Sequence, residues 1–120
     1  MELWYSGAYN SAWIYRHGEM IVLAADKQPV GVFENETDFT QQHLQLQKGD
    51  VIYLFSDGFA DQFGGVNGKK FKYKPFRELL LSIAELPTKE QQMKLDGFFE
   101  NWKGVYDQTD DVCVVGIRIT

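Results

Sequence analysis

Two acidic positions stand at the edges of short apolar segments, where a strand scaffold would hold a carboxylate in a fixed place. Asp57 follows the run Val51-Ile52-Tyr53-Leu54-Phe55, and Gly58 after it lets the backbone turn sharply beside the carboxylate. Asp110 and Asp111 precede a second apolar run that begins at Val112. If the two strands are neighbours in one sheet, Asp57 and Asp110 converge, and paired carboxylates suit a hard cation such as Mg²⁺ or Mn²⁺. Each dipeptide also has a purely conformational use, because Asp-Gly is a common turn and Asp-Asp before a strand is a common solvated loop. Neither dipeptide alone decides between these uses.

Other groups with chemical potential have weaker patterns. The stretch from Gly64 to Lys70 invites comparison with a phosphate-binding loop, but its glycine spacing is one residue short and no Ser or Thr follows the lysine. A mobile surface loop is expected there. Lys69, Lys70, Lys72, Lys74 and Arg77 interleave with Phe71, Tyr73 and Phe76, a pattern that suits either guidance of an anionic partner or a solvated face with its aromatics turned inward. His17 and His43 have no partner at ligand spacing. Cys113 falls inside the last apolar run and reads as an inert core thiol.

The elements that must carry these residues follow from periodicity. Trp13 to Arg16 and Met20 to Leu23 flank a short Gly-containing turn and predict a hairpin. Pro29-Val30-Gly31-Val32 interrupts the pattern, Leu44 and Leu46 alternate with glutamines as in a half-buried strand, and Lys48-Gly49-Asp50 turns the chain into the Val51–Phe55 run. That run predicts a central strand covered on both faces. Phe76, Leu79, Leu80 and Ile83 line one face of a helix. A second helix follows, with Thr88 and Gln91 at capping-box spacing and Leu95, Phe98, Phe99 and Trp102 as its apolar stripe. The segment from Val112 to Ile119 predicts a final strand in the interior of a sheet. Strands, two helices and a return strand make the fold class α+β.

The chain has 120 residues, enough for one modest core, so a single domain or part of one is expected. Hydrophobic residues make up 44%, which argues against disorder. A net charge of −5 argues against nucleic acid as a partner. One cysteine excludes an internal disulfide framework and fits a cytoplasmic location. The longest apolar runs fall well short of the ~20 residues a membrane span needs, so no membrane contact is expected, and the start lacks the features of a signal peptide.

The ordered combination of these features resembles the SpoIIE-like branch of the type 2C metal-dependent protein phosphatases. The resemblance rests on the segment from Val51 through Asp57-Gly58 to Gln62, on Gly68-Lys69-Lys70-Phe71, and on Thr109-Asp110-Asp111 running into Val112 to Ile119. Upstream, Tyr5-Ser6-Gly7-Ala8-Tyr9-Asn10, Trp13 to Arg16 and Pro29 to Val32 look like the strand, hairpin and loop that precede the Asp-Gly motif in that branch.

The resemblance implies that Asp57 and Asp110 ligate Mn²⁺ or Mg²⁺, with two ions in the complete domain. Gly58 and Asp111 would support those ligands without touching the metal, and no catalytic residue beyond the ligands is implied. Lys69 and Lys70 would guide the substrate, a phosphoserine or phosphothreonine in a regulatory protein such as an anti-sigma factor antagonist. The implied fold is a partial α-β-β-α sandwich of antiparallel sheets with two flanking helices. The family's bridging Asp and an earlier Asp-Gly pair have no counterpart here, so the N-terminal part of the domain is expected to be missing. Metal binding would then be weak or absent and the fragment inactive alone. A half-sandwich is also expected to leave a sheet face open and to self-associate through it. The rival reading is a non-catalytic interaction module of the same fold.

Overall fold

The computed structural model describes residues 1–31 and 37–120; Val32, part of the expected loop, lies outside the described residues. In chain order the elements are β1 (Glu2–Tyr5), β2 (Ala12–Arg16), β3 (Glu19–Leu23), β4 (Gln42–Gln45), β5 (Val51–Phe55), α1 (Gly58–Asp61), β6 (Phe63–Gly64), β7 (Lys69–Lys70), α2 (Tyr73–Ile83), α3 (Thr88–Lys103) and β8 (Val114–Arg118). The fold class is α+β, as the pattern of elements implied. Two compact units form: residues 1–55 with 115–120, and residues 56–114.

In the first unit β2 and β3 make the expected hairpin, with Arg16 opposite Glu19. His17 and Gly18 both take positive φ (46° and 83°), which a two-residue hairpin turn requires to match the strand twist. β2 also pairs antiparallel with β5, setting Ile14 against Ile52 and Trp13 against Tyr53. Alternation then sends Ala12, Ile14 and Ile52 to one face, where they cluster with Leu23 and Leu46. Leu3, Tyr5 and Leu44, carried on the antiparallel β1–β4 pair, pack against that cluster.

Asp50 is buried at the turn into β5 and does not stand alone. Arg16 donates from Nε to Oδ1 at 3.0 Å and from Nη2 to Oδ2 at 2.7 Å, a two-pronged pair, and the Gln47 amide adds a bond to Oδ2 at 2.8 Å. The Arg16 hydrogen bond, opposed by desolvation and aided by the amide, holds the Asp50 carboxyl below its ordinary value.

The last strand departs from expectation. The sheet order is β3-β2-β5-β8, so β8 is an edge strand, and Val115 and Ile117 remain 42% and 46% exposed. A nearly continuous apolar run shows that both faces suit burial, but not which atoms cover them. Cys113 is likewise corrected: it is exposed and lies just ahead of β8, outside any core.

The second unit is organised around Phe59, which is 2% exposed. Its ring centroid lies 4.8 Å from that of Phe76 and 5.2 Å from that of Phe99, so one residue of α1 ties α2 to α3. On α2 the predicted stripe is borne out, with Phe76, Leu80 and Ile83 buried. On α3 Phe99 is buried while Phe98 stays partly exposed. The expected capping box is absent: the cap position is Pro87 and no side chain bonds there. Gln91 instead donates its amide to the carbonyls of Ala84 at 3.1 Å and Leu86 at 2.9 Å, serving backbone acceptors left over where α2 ends. The glycine-rich stretch after α1 makes a largely exposed turn over residues 65–68, closed by two short strands. β6 and β7 pair antiparallel, with Gly64 opposite Lys69 and Phe63 opposite Lys70.

Candidate functional site

All the acidic residues singled out in the sequence fall within the second unit, so their mutual placement is set inside one compact body. As β5 ends, Ser56 makes three bonds to the returning chain. Its amide donates to the Cys113 carbonyl, its hydroxyl donates to the Asp111 carbonyl, and that hydroxyl accepts from the Cys113 amide, each at 3.0 Å. The next residue but one completes the approach. A Cβ on Gly58 would lie 2.2 Å from the Asp111 carbonyl oxygen, a distance no real side chain tolerates, so glycine is needed here for space. Asp57 sits between these two contacts. Its turn is therefore held against Asp111, the chain neighbour of Asp110.

The Asp57 backbone caps α1, its carbonyl accepting from the Asp61 amide at 2.9 Å, yet its side chain makes no capping bond. The half-buried carboxylate instead accepts a hydrogen bond at Oδ1 from the hydroxyl of Tyr73, at the start of α2. Burial, then the bond to Asp57 and the negative charges of Asp57 and Asp61, push the Tyr73 phenol above its ordinary value, so it remains a protonated donor at neutral pH. Asp110 is exposed, and its Oδ1 accepts from the Asp111 amide at 2.8 Å. Oδ2 of both carboxylates has no hydrogen-bond partner among the described residues. Approach to this region is further fixed by buried Gln62, which donates to the Asp107 carbonyl at 2.9 Å.

The donor chemistry fits a hard cation, but it amounts to part of a site. Asp57 and Asp110 offer oxygen donors, while no group of three or more His, Cys, Asp or Glu gathers in a metal-holding arrangement among the described residues. Asp111 is exposed, and it meets the Asp57 turn through its carbonyl. Lys69 and Lys70 lie exposed on β7, Lys70 3.9 Å from Asp61 and over the Phe63 ring. Phe71 and Phe76 turn inward, as one reading of the basic cluster had it, but Tyr73 turns to Asp57.

Sequence reasoning missed Ser56 and Tyr73. Ser56 carried one signal, a lone hydroxyl closing an apolar strand. Tyr73 carried none, because its partner is sixteen residues away and outside any periodic stripe. Replacing Ser56 by alanine removes both hydroxyl bonds and is expected to cost about 1–2 kcal/mol. A melting temperature for Ser56→Ala equal to that of the native chain would show that the bonds do not matter.

The family model described as Stage II sporulation protein E (SpoIIE) matches residues 2–120. Among solved structures, the SiaA-PP2C domain of Pseudomonas aeruginosa superposes with a TM-score of 0.90 at 28% identity, covering 99% of this chain and 47% of that one. A structure of the PP2C phosphatase domain with a fragment of the regulatory domain of the cell fate determinant SpoIIE from Bacillus subtilis matches with a TM-score of 0.67 at 24% identity, over 98% of this chain and 33% of that one. The Mn-presoaked structure of that SpoIIE phosphatase domain matches with a TM-score of 0.55 at 20% identity, over 91% of this chain and 46% of that one. The chain thus spans half or less of the length of these structures. A search of curated proteins found no match.

Proposed function

We propose, from the premise that this chain belongs to the SpoIIE family of PP2C phosphatase domains, that it supplies part of the metal site of a phosphoserine/phosphothreonine protein phosphatase. The observation that carries the reading is the three-bond tie from Ser56 to Asp111 and Cys113, which holds the Asp57 turn beside the acidic pair.

In this proposal Asp57 and Asp110 hold Mn²⁺ or Mg²⁺, which when bound lowers the pKa of its water and neutralises phosphoryl oxygens. The remaining roles belong to the chain. Gly58 gives the Asp111 carbonyl room to approach, and the Asp111 backbone, not its carboxylate, is the supporting group. Lys69 and Lys70 attract an anionic phosphoprotein by long-range charge, against a chain whose overall balance is negative. That substrate would be a regulatory protein of the anti-sigma-factor-antagonist kind, in the cytoplasm. No helix among the described residues is long and apolar enough to cross a membrane.

Two carboxylates bind a divalent cation weakly, so residues 1–120 alone are expected to be inactive. The test compares this chain with a protein extended upstream by roughly a hundred residues, a half-domain scale. Both are assayed for Mn²⁺-dependent phosphate release from a phosphoserine peptide. Turnover by the longer protein only, reduced at least about 100-fold in Asp57→Asn, is the expected result. Robust turnover by the 120-residue chain would overturn the incomplete-site reading, and none by the longer protein would overturn the phosphatase reading.

One observation favours a non-catalytic interaction module instead. Asp110 spends an oxygen on the amide of its own neighbour, as a residue that only shapes a turn would. Absence of turnover in the upstream-extended protein, with native Asp110 as with Asp110→Asn, would count for that reading. Self-association belongs to the main proposal, through the exposed apolar residues Leu54, Val115 and Ile117 on the paired strands β5 and β8.

A further inference from the structure

We infer that Tyr73 is a positioning residue for Asp57: its hydroxyl occupies Oδ1 and thereby leaves Oδ2 as the oxygen offered to a cation. The inference rests on the metal-ligand reading of Asp57 given above. A carboxylate at the cap of a four-residue helix would ordinarily turn back onto the first amides, but Asp57 makes no such bond. The described hydrogen bond to its side chain comes from Tyr73.

The donor is itself well anchored. The Lys72 amide donates to the Ala60 carbonyl at 2.7 Å, fixing the entry to α2 against α1, and Phe76, one turn on, is fully buried against Phe59. Lys72 takes φ 77°, a left-handed backbone that a side-chain-bearing residue adopts only when its surroundings impose it. That kink starts the helix at Tyr73 and delivers the phenol to Asp57.

The type of donor matters as much as its place. A lysine or arginine at this point would neutralise the carboxylate and weaken its pull on a metal, whereas a phenol orients it and leaves its charge intact. Partners that orient a ligating group in this way typically change metal affinity by roughly 10–100-fold when removed.

The experiment titrates Mn²⁺ into the isotopically labelled 120-residue chain and reads paramagnetic broadening of the amide signals of Asp57 and Asp110, a method that detects weak binding. Native chain, Tyr73→Phe, Asp57→Asn and the double variant are compared, with thermal melting measured on each. Tyr73→Phe is expected to need about ten times more Mn²⁺ for the same localised broadening, at an unchanged melting temperature. In the Asp57→Asn background it should cause no further loss, because the hydroxyl acts through Asp57. Equal broadening in Tyr73→Phe and native chain would overturn the assignment while leaving the metal reading intact. A large fall in melting temperature would make the hydroxyl structural and also overturn it. Absence of localised broadening in the native chain would sink the metal reading and this inference with it.

Discussion

Substituting alanine for Gly58 is expected to destabilise the second unit by about 3 kcal/mol, because the added methyl meets backbone rather than a yielding side chain. Its position would be 2.2 Å from the Asp111 carbonyl oxygen, 2.8 Å from the carbonyl carbon and 3.0 Å from Val112 Cγ2. Either the Asp57 turn or the returning segment must shift, and the three Ser56 bonds prevent a cheap shift of one against the other. At about 4 °C per kcal/mol for a chain of this size, melting should fall by roughly 12 °C. Gly97 provides the contrast. It lies inside α3, where an added methyl would meet nothing within 4 Å, so Gly97→Ala should stabilise by about 0.5–1 kcal/mol through helix propensity alone. Equal melting of native chain and Gly58→Ala would refute the close approach on which the candidate site depends.

The second large effect belongs to the first unit. Arg16→Ala leaves a carboxylate with 2% side-chain exposure facing only the Gln47 amide, and it also releases the Gln45 carbonyl that Arg16 Nη2 meets at 2.9 Å. Breaking a buried pair in this way costs about 3–5 kcal/mol, so melting should drop by at least roughly 12 °C. The pH dependence carries a sign. Because the folded-state carboxyl of Asp50 lies below its unfolded value of about 3.9, its contribution is complete above that value and fades as pH falls through the lower folded one. Native protein should therefore lose stability on acidification below about pH 4, and Arg16→Ala should lose less over the same interval. An identical acid slope in the two proteins would remove Asp50 as the cause.

Much of the architecture could be read from short-range pattern. The hairpin of β2 and β3, the buried run of β5 and the stripe of α2 each express a period within a dozen residues, and local period is what a bare sequence displays. Features fixed by distant contacts were misread. The apolarity of β8 marks a strand fit for burial but cannot show that its outer side is left bare, and the exposure of Cys113 follows from the same gap. Thr88 and Gln91 have the spacing of a reciprocal cap, yet two carbonyls at the end of the previous helix compete for the Gln91 amide and win it. In the candidate site the acidic residues were visible as strand-edge carboxylates. The hydroxyls that orient their backbone and side chains, on Ser56 and Tyr73, were not, since each acts across a separation that no periodicity records.

The Ser56 tie has a bearing on how the molecule comes together. Its partners lie 55 and 57 positions along the chain, beyond both long helices. Helices form from neighbours and are quick, whereas closing so long a span waits on the packing of what lies between. The acidic pair should accordingly be the last part of this unit to acquire its native surroundings during refolding.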